Sequence, residues 1–173
     1  QAGQDIDPAN TLYWRMPLRR LESESIRDSL LAAGDRLNLQ LGGPPVMLRT
    51  EADGRISIDQ QRLGRSSDQW RRSVYLLTRR GYHHTLLDVF DQPGIETTCS
   101  QRQVNAVALQ SLAMLNDQFV FDQAANLASL LSREVSDPAK RIQQAYLRIL
   151  CRPPLPAELT ACLASLNDLQ HQD

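Results

Sequence analysis

The last third of the chain is a series of helical stripes separated by capping and breaking residues, and no other feature restricts the fold as much. Val104, Val107, Ala108, Leu112 and Leu115 recur at helical spacing, as do Val120, Ala124, Leu127, Ala128 and Leu131. Asn116 or Asp117 separates the two runs and is placed to cap the second. Asp137-Pro138 reads as a helix start, a capping oxygen followed by a proline at the first helical position. Ala139, Ile142, Ala145, Tyr146 and Ile149 form a third stripe. The run "RPPLP" at 152–156 breaks it, and Leu159, Leu163, Leu166 and Leu169 form a fourth. Helices joined by so short a link pack antiparallel.

Upstream, the pattern predicts a helix over 18–37, behind Pro17, with Leu18, Leu21, Ile26, Leu30 and Ala33 as its apolar face. On its surface Arg20–Glu24 and Glu24–Arg27 attract, while Glu24–Asp28 repels. Gly42, Gly43, Pro44 and Pro45 cannot continue a helix and predict a turn followed by extended chain. Asp53-Gly54 is a further turn signal. Residues 55–58 read as a short strand, and 73–78, apolar on both faces, as a buried strand able to pair with it. Residues 86–90 read as a short helical turn ended by Pro93-Gly94. The expected fold is mainly α, a bundle of about five helices with at most a small β hairpin.

At 173 residues the chain reads as a single domain, 1–173. A chain of this length buries roughly 70% of its unfolded surface and needs no covalent staple. A net charge of −1 argues against a general nucleic-acid binder. No apolar run approaches the ~18 residues of a membrane span. Eighteen arginines stand against one lysine, Lys140, and the planar guanidinium favours bidentate pairing with carboxylates. Cys99, Cys151 and Cys162 form neither a disulfide framework nor a CxxC or CxxCH motif, so no haem is expected in this domain. Residues 1–16 read as a linker-like lead-in from the middle of a longer chain. Leu12, Tyr13, Trp14 and Met16 are too apolar for a free linker, which makes Tyr13, Trp14 and Met16 candidates for an interface with an upstream domain.

The stretch 71–102 carries most of the residues capable of chemistry. His83, His84, Asp88, Asp91 and Cys99 are metal-ligand types, but adjacent histidines in extended chain point to opposite faces, which leaves His83 and His84 weak metal candidates. Cys99 beside Arg102 would suit a lowered thiol pKa, with a histidine as base; the competing reading is a buried core thiol. Asp88 and Asp91 would share a helical face and could serve as an acid/base pair. The preferred reading is a structural clamp made from Arg71, Arg72, Asp91, Cys99 and Arg102. In it Asp91 is held by Arg102 or by one of the flanking arginines, Arg71, Arg72, Arg79 and Arg80.

Several blocks occur in order along the chain: "LYWRMPLRRLESESIRDSLL", "LGGPP", "RRSVY", then "FDQP" followed by Cys99 and Arg102, then "LQSLAMLND", then an "RI..AY..IL.RPP..AE" pattern. From roughly residue 12 to 166 this resembles the planctomycete-specific domain one, an uncharacterised domain that closes large exported proteins carrying c-type cytochrome modules. The resemblance implies an exported, periplasmic setting, a multidomain parent, and haem, if any, elsewhere in that parent. It brings no catalytic residues. It marks Arg27, Asp28, Gly42, Gly43, Arg71, Arg72, Tyr75, Asp91, Cys99, Arg102, Gln110 and Asn116 as recurring positions. At the last helical hairpin the chain departs from the family pattern: Cys151 replaces a glycine and Leu155 replaces a capping threonine, which puts the tightness of that turn in question.

Two functions are compatible with these observations. One is a non-catalytic interaction or scaffolding domain partnered by upstream domains of its own chain. The other is part of a composite enzyme site, completed by the upstream domain and acting on polysaccharide. A groove exposing Trp14, Trp70, Tyr75 and Tyr82 together would favour the second.

Overall fold

The computed structural model describes residues 2–17, 19–94, 99, 102, 105 and 107–170. Its helices are α1 (Ala2–Ile6), α2 (Ser23–Ala33), α3 (Thr85–Val89), α4 (Ala108–Asn116), α5 (Gln118–Glu134), α6 (Pro138–Leu150) and α7 (Pro156–Gln170). The only sheet among the described residues is a two-stranded antiparallel hairpin, β1 (Leu48–Thr50) with β2 (Ile56–Ile58). Three 3-10 turns, Gln60–Arg62, Ser66–Trp70 and Ser73–Tyr75, lie between hairpin and α3. The mainly α architecture with one small hairpin is the one the sequence predicts. The helices beyond the expected five are the five-residue α1 and α3.

Helix α2 is the hub, touching the Ser73–Tyr75 turn, α3, α5 and α6. It starts at Ser23, not in the predicted first turn, because Arg20 reaches away to Asp91 and to the Phe90 carbonyl. Its buried face is Ser23, Arg27 and Leu31, spaced four apart. The expected face is displaced: Leu21 is exposed, Ile26, Leu30 and Ala33 are half-buried, and Leu18 lies outside the described residues.

The predicted strand pairing is also corrected. β2 pairs with β1 across the Asp53-Gly54 turn, in register Leu48–Ile58, and not with 73–78. Ser73 is drawn into a 3-10 turn because its amide and hydroxyl both donate to Asp28 of α2. Only Leu76 stays extended enough for a bridge to Val46. Val46, Leu48, Leu76 and Leu87 form a small apolar core, with Ile56, Ile58, Leu63, Tyr75 and Tyr82 packed on it.

In the helical region the predicted caps are present. Asp117 accepts from the Phe119 amide, and Asp137 from the Ala139 and Lys140 amides ahead of Pro138. The predicted stripes are only partly buried. Leu127 and Leu131 of α5 and Ile142 of α6 are core, while Val107, Leu112, Leu115, Ile149, Leu166 and Leu169 are exposed. Val104 lies outside the described residues. On α4 the buried residue is Gln110, turned inward by bonds to the Val89 carbonyl and to Asp91. The turn between α6 and α7 is held in another way than by a glycine and a threonine cap. Cys151 takes a left-handed φ of 53°. Glu158 accepts from the Leu155 amide and pairs with Arg152 through two bonds of 2.7 Å. That pairing holds the Glu158 carboxyl down at about 2.

Candidate functional site

Arg71, Arg72 and Asp91, three of the residues the sequence marks for a clamp, are dispersed over three arginine clasps built on Arg27, Arg71 and Asp91. In the first, the Arg27 side chain is 0% exposed. Its Nη1 donates to the Arg71 carbonyl (2.9 Å) and to Ser73 Oγ (3.2 Å), and its Nη2 to the Gln69 carbonyl (2.9 Å). Asp28 Oδ1 accepts from Ser73 N and Oγ, both at 2.7 Å, and lies 3.8 Å from Arg27. Arg72, one of the predicted clamp residues, reaches the other Asp28 oxygen at 3.5 Å from the surface. The Phe119 ring lies 5.6 Å from the guanidinium carbon. Burial lowers the Arg27 pKa to about 10, partly opposed by the Asp28 charge, so the group remains a cation at neutral pH. A cation so placed is tolerated because two carbonyls and the Ser73 hydroxyl take up its terminal donors and the Asp28 charge lies nearby, while Nε is left without a partner among the described residues.

The second clasp is built on Arg71. Its Nη1 donates to the Pro44 carbonyl at 2.8 Å and its Nη2 to the Gly42 carbonyl. The guanidinium carbon lies 3.7 Å over the Tyr75 ring, whose hydroxyl accepts from the Gly42 amide at 2.9 Å. Gly42 and Gly43 have φ of +73° and +89°, so the loop that wraps this arginine needs residues free to enter left-handed backbone. The proline-rich turn read from the sequence is thus one side of an arginine cradle.

The third clasp is built on Asp91, itself at φ +60°. Its partner is Arg20 at 2.6 Å, from the segment before α2, and not Arg71, Arg72, Arg79, Arg80 or Arg102. The Asn105 amide (3.1 Å) and the Gln110 side chain (3.3 Å) also donate to it. The Asn105 amide foremost, with the Asn105 side chain, Arg20 and Gln110, holds the carboxyl below the usual range against an opposing effect of burial. Arg102 instead pairs with Glu24 (2.7 Å) and Glu22 (3.1 Å) at the start of α2. Cys99 is exposed, which removes the buried-thiol reading.

His83 and His84 precede α3, and each has a buried Nδ1 with no hydrogen-bond partner among the described residues. Burial, and next the Arg27 charge, push the His84 pKa down to about 3, so the imidazole is neutral. No group of three metal-ligating side chains converges among the described residues. Asp88 is exposed.

Tyr75 and Tyr82 both pack on the hairpin core, Tyr75 also lies under Arg71, and Trp70 is stacked by Arg36. Trp14 belongs to a separate knuckle. There Asp7 accepts from Thr11 Oγ1 and the Leu12 amide, its carbonyl accepts from Trp14 Nε1, and the indole lies so close to Gly3 that a Cβ there would clash at 2.5 Å. Tyr13 and Met16 project from it, exposed.

Sequence reading paired Arg20 with Glu24, where the structure pairs it with Asp91, and gave Arg27 no inward role. The available signal was the i, i+4, i+8 series Ser23, Arg27, Leu31, whose polar members conceal a buried face. No helix among the described residues is long and apolar enough to cross a membrane. No curated protein and no solved structure matches the chain. A family profile described as PSD1, protein of unknown function (DUF1553), matches residues 1–166. With nearly the whole length covered, the chain belongs to the PSD1 family of proteins of unknown function.

Proposed function

We propose that this domain is a non-catalytic docking module of a larger exported protein, one associated with c-type cytochrome modules and working in the periplasm. The setting and the parent rest on the resemblance to the planctomycete-specific domain. The docking role rests on one observation: the buried charged groups end on the protein's own backbone. The terminal nitrogens of Arg27 and Arg71 donate to the carbonyls of Gln69, Arg71, Gly42 and Pro44. Such groups set loop shape.

The partner is the upstream part of the same parent, and the contact surface is the 2–16 knuckle with its exposed Tyr13 and Met16. Interfaces within a chain are modest in area and fairly polar. Calorimetry of this chain mixed with the separately expressed upstream part tests the reading. Binding in the micromolar range is expected, weakened by Tyr13→Ala and by Met16→Ala. Absence of binding at high micromolar concentration defeats the proposal; binding indifferent to both variants moves the interface off the knuckle.

A further inference from the structure

Asp53-Gly54 is the one step in the chain where a glycine follows an aspartate or an asparagine. Such a step is chemically reactive. The glycine amide nitrogen can attack the aspartate Cγ, because glycine has no Cβ to hinder the approach. The N–Cγ bond forms, the Cγ–OH bond breaks, and one water leaves with the amide proton and the acid hydroxyl. A second water then opens the succinimide ring. Opening at the backbone carbonyl leaves isoaspartate, whose main chain runs through Cγ and is longer by one methylene. The step lies open to solvent. The Asp53 side chain is 52% exposed, and Gly54, at φ +86°, has nothing within 4 Å of where a Cβ would stand.

We infer that Asp53-Gly54 is a site of isoaspartate formation and that Arg55 is the residue that restrains it. Asp53 Oδ1 accepts from the Arg55 amide at 3.0 Å and Oδ2 from Arg55 Nε at 2.6 Å, so both carboxyl oxygens are held. The attacking group is held as well: the Gly54 amide donates to the Glu51 carbonyl at 3.0 Å. The Arg55 amide first, and then the Arg55 guanidinium, keep the Asp53 carboxyl below the usual carboxylate range. It is therefore ionised at neutral pH, and an ionised carboxyl has no hydroxyl to lose. The restraint protects more than one residue. Asp53-Gly54 lies in the turn joining β1 to β2, and Leu48, Ile56 and Ile58 of those strands belong to the hairpin core. An extra methylene there would disturb the Thr50–Ile56 pairing that stands next to the turn.

The test follows isoaspartate in the folded 173-residue chain, kept warm at neutral pH over several weeks. Enzymatic methylation of isoaspartyl groups gives the amount, and fragmentation mass spectrometry places the lesion at residue 53. Arg55→Ala keeps the amide donor and removes the guanidinium. It should accumulate isoaspartate about two- to fivefold faster than the parent, the factor that an exposed ion pair supplies. The parent unfolded in concentrated urea should also be faster than the folded parent. Arg49→Ala is the control: Arg49 bonds Glu51 on the same hairpin, and its loss should leave the rate unchanged. If circular dichroism shows that Arg55→Ala does not fold, Arg55→Gln serves instead. No isoaspartate at residue 53, even in urea, overturns the site. Equal rates for the parent and the Arg55 variant overturn the restraint, as does equal acceleration by Arg49→Ala.

Discussion

The region from α2 to α3 and the region from α4 to α7 reverse the usual relation between pattern and core. The second region has the clean helical periodicity, and it leaves Leu112, Leu115, Ile149, Leu166 and Leu169 in solvent. The first is mostly turns and short elements, yet it holds the fully buried side chains Ser23, Arg27, Leu31, Leu86 and Leu87. A helix satisfies its own backbone bonds, so a stripe states only that a face is available for burial. Irregular chain has no internal ladder, and its backbone groups must be satisfied from outside. Arg27 and Arg71 supply those bonds, so the polar side chains lie where regular structure is scarce.

The strongest way to break this comparison is to remove Arg27. Arg27→Met keeps volume but leaves the Gln69 and Arg71 carbonyls without their donor and removes the cation beside Asp28. A loss of about 3–5 kcal/mol is expected in urea denaturation, the cost of breaking a buried charged network. A loss under about 1 kcal/mol would mean that the turns hold themselves.

The next effect is a dependence on pH. The His84 pKa is lowered from 6.5 to about 3 by burial and by Arg27. Protonation therefore favours the unfolded chain: the stabilisation is complete above pH 6.5 and is lost as pH falls towards 3. Between pH 7.5 and 5.0 the parent should lose about 2 kcal/mol more than His84→Gln, at about 1.4 kcal/mol per pH unit below 6.5. Parallel pH profiles would show that water reaches the imidazole.

A double-mutant cycle sharpens the third clasp. Asp91→Asn with Arg20→Gln should show a coupling of about 0.5–1.5 kcal/mol, and Asp91→Asn with Arg72→Gln should be additive. The reverse outcome would return Asp91 to its sequence neighbours. The smallest effect belongs to the helical region. Cys151 has left-handed backbone at φ 53°, so Cys151→Gly should raise stability by about 0.5–1 kcal/mol. A loss of stability would show that the thiol side chain packs in a way its exposure does not suggest.

Local signals were legible in the sequence, and distant ones were not. Asp117, Asp137-Pro138, the 42–45 turn and the Asp53-Gly54 turn each act within a few residues and were read correctly. The partner of Asp91 is 71 residues away, and eighteen arginines were available to choose from. The strand partner of β2 was misassigned because Ser73 answers to Asp28, 45 residues upstream. Of the clamp residues expected in the 71–102 stretch, Arg71, Arg72, Asp91 and Arg102 each meet a different target.

Arg27 addresses main-chain oxygens at Gln69 and Arg71, and Arg71 does the same at Gly42 and Pro44. A carbonyl is common to all twenty amino acids, so the receiving end of each clasp is indifferent to side-chain identity unless backbone conformation restricts it. Tolerance to substitution is therefore lopsided. Gln69 can drift freely as far as this contact is concerned, whereas the donor at 27 is irreplaceable even by lysine, whose single ammonium lacks a second nitrogen to span the 69 and 71 carbonyls together. A lineage carrying this fold can rewrite the loops around a fixed pair of arginines, and so alter what the surface presents while keeping the same frame beneath it.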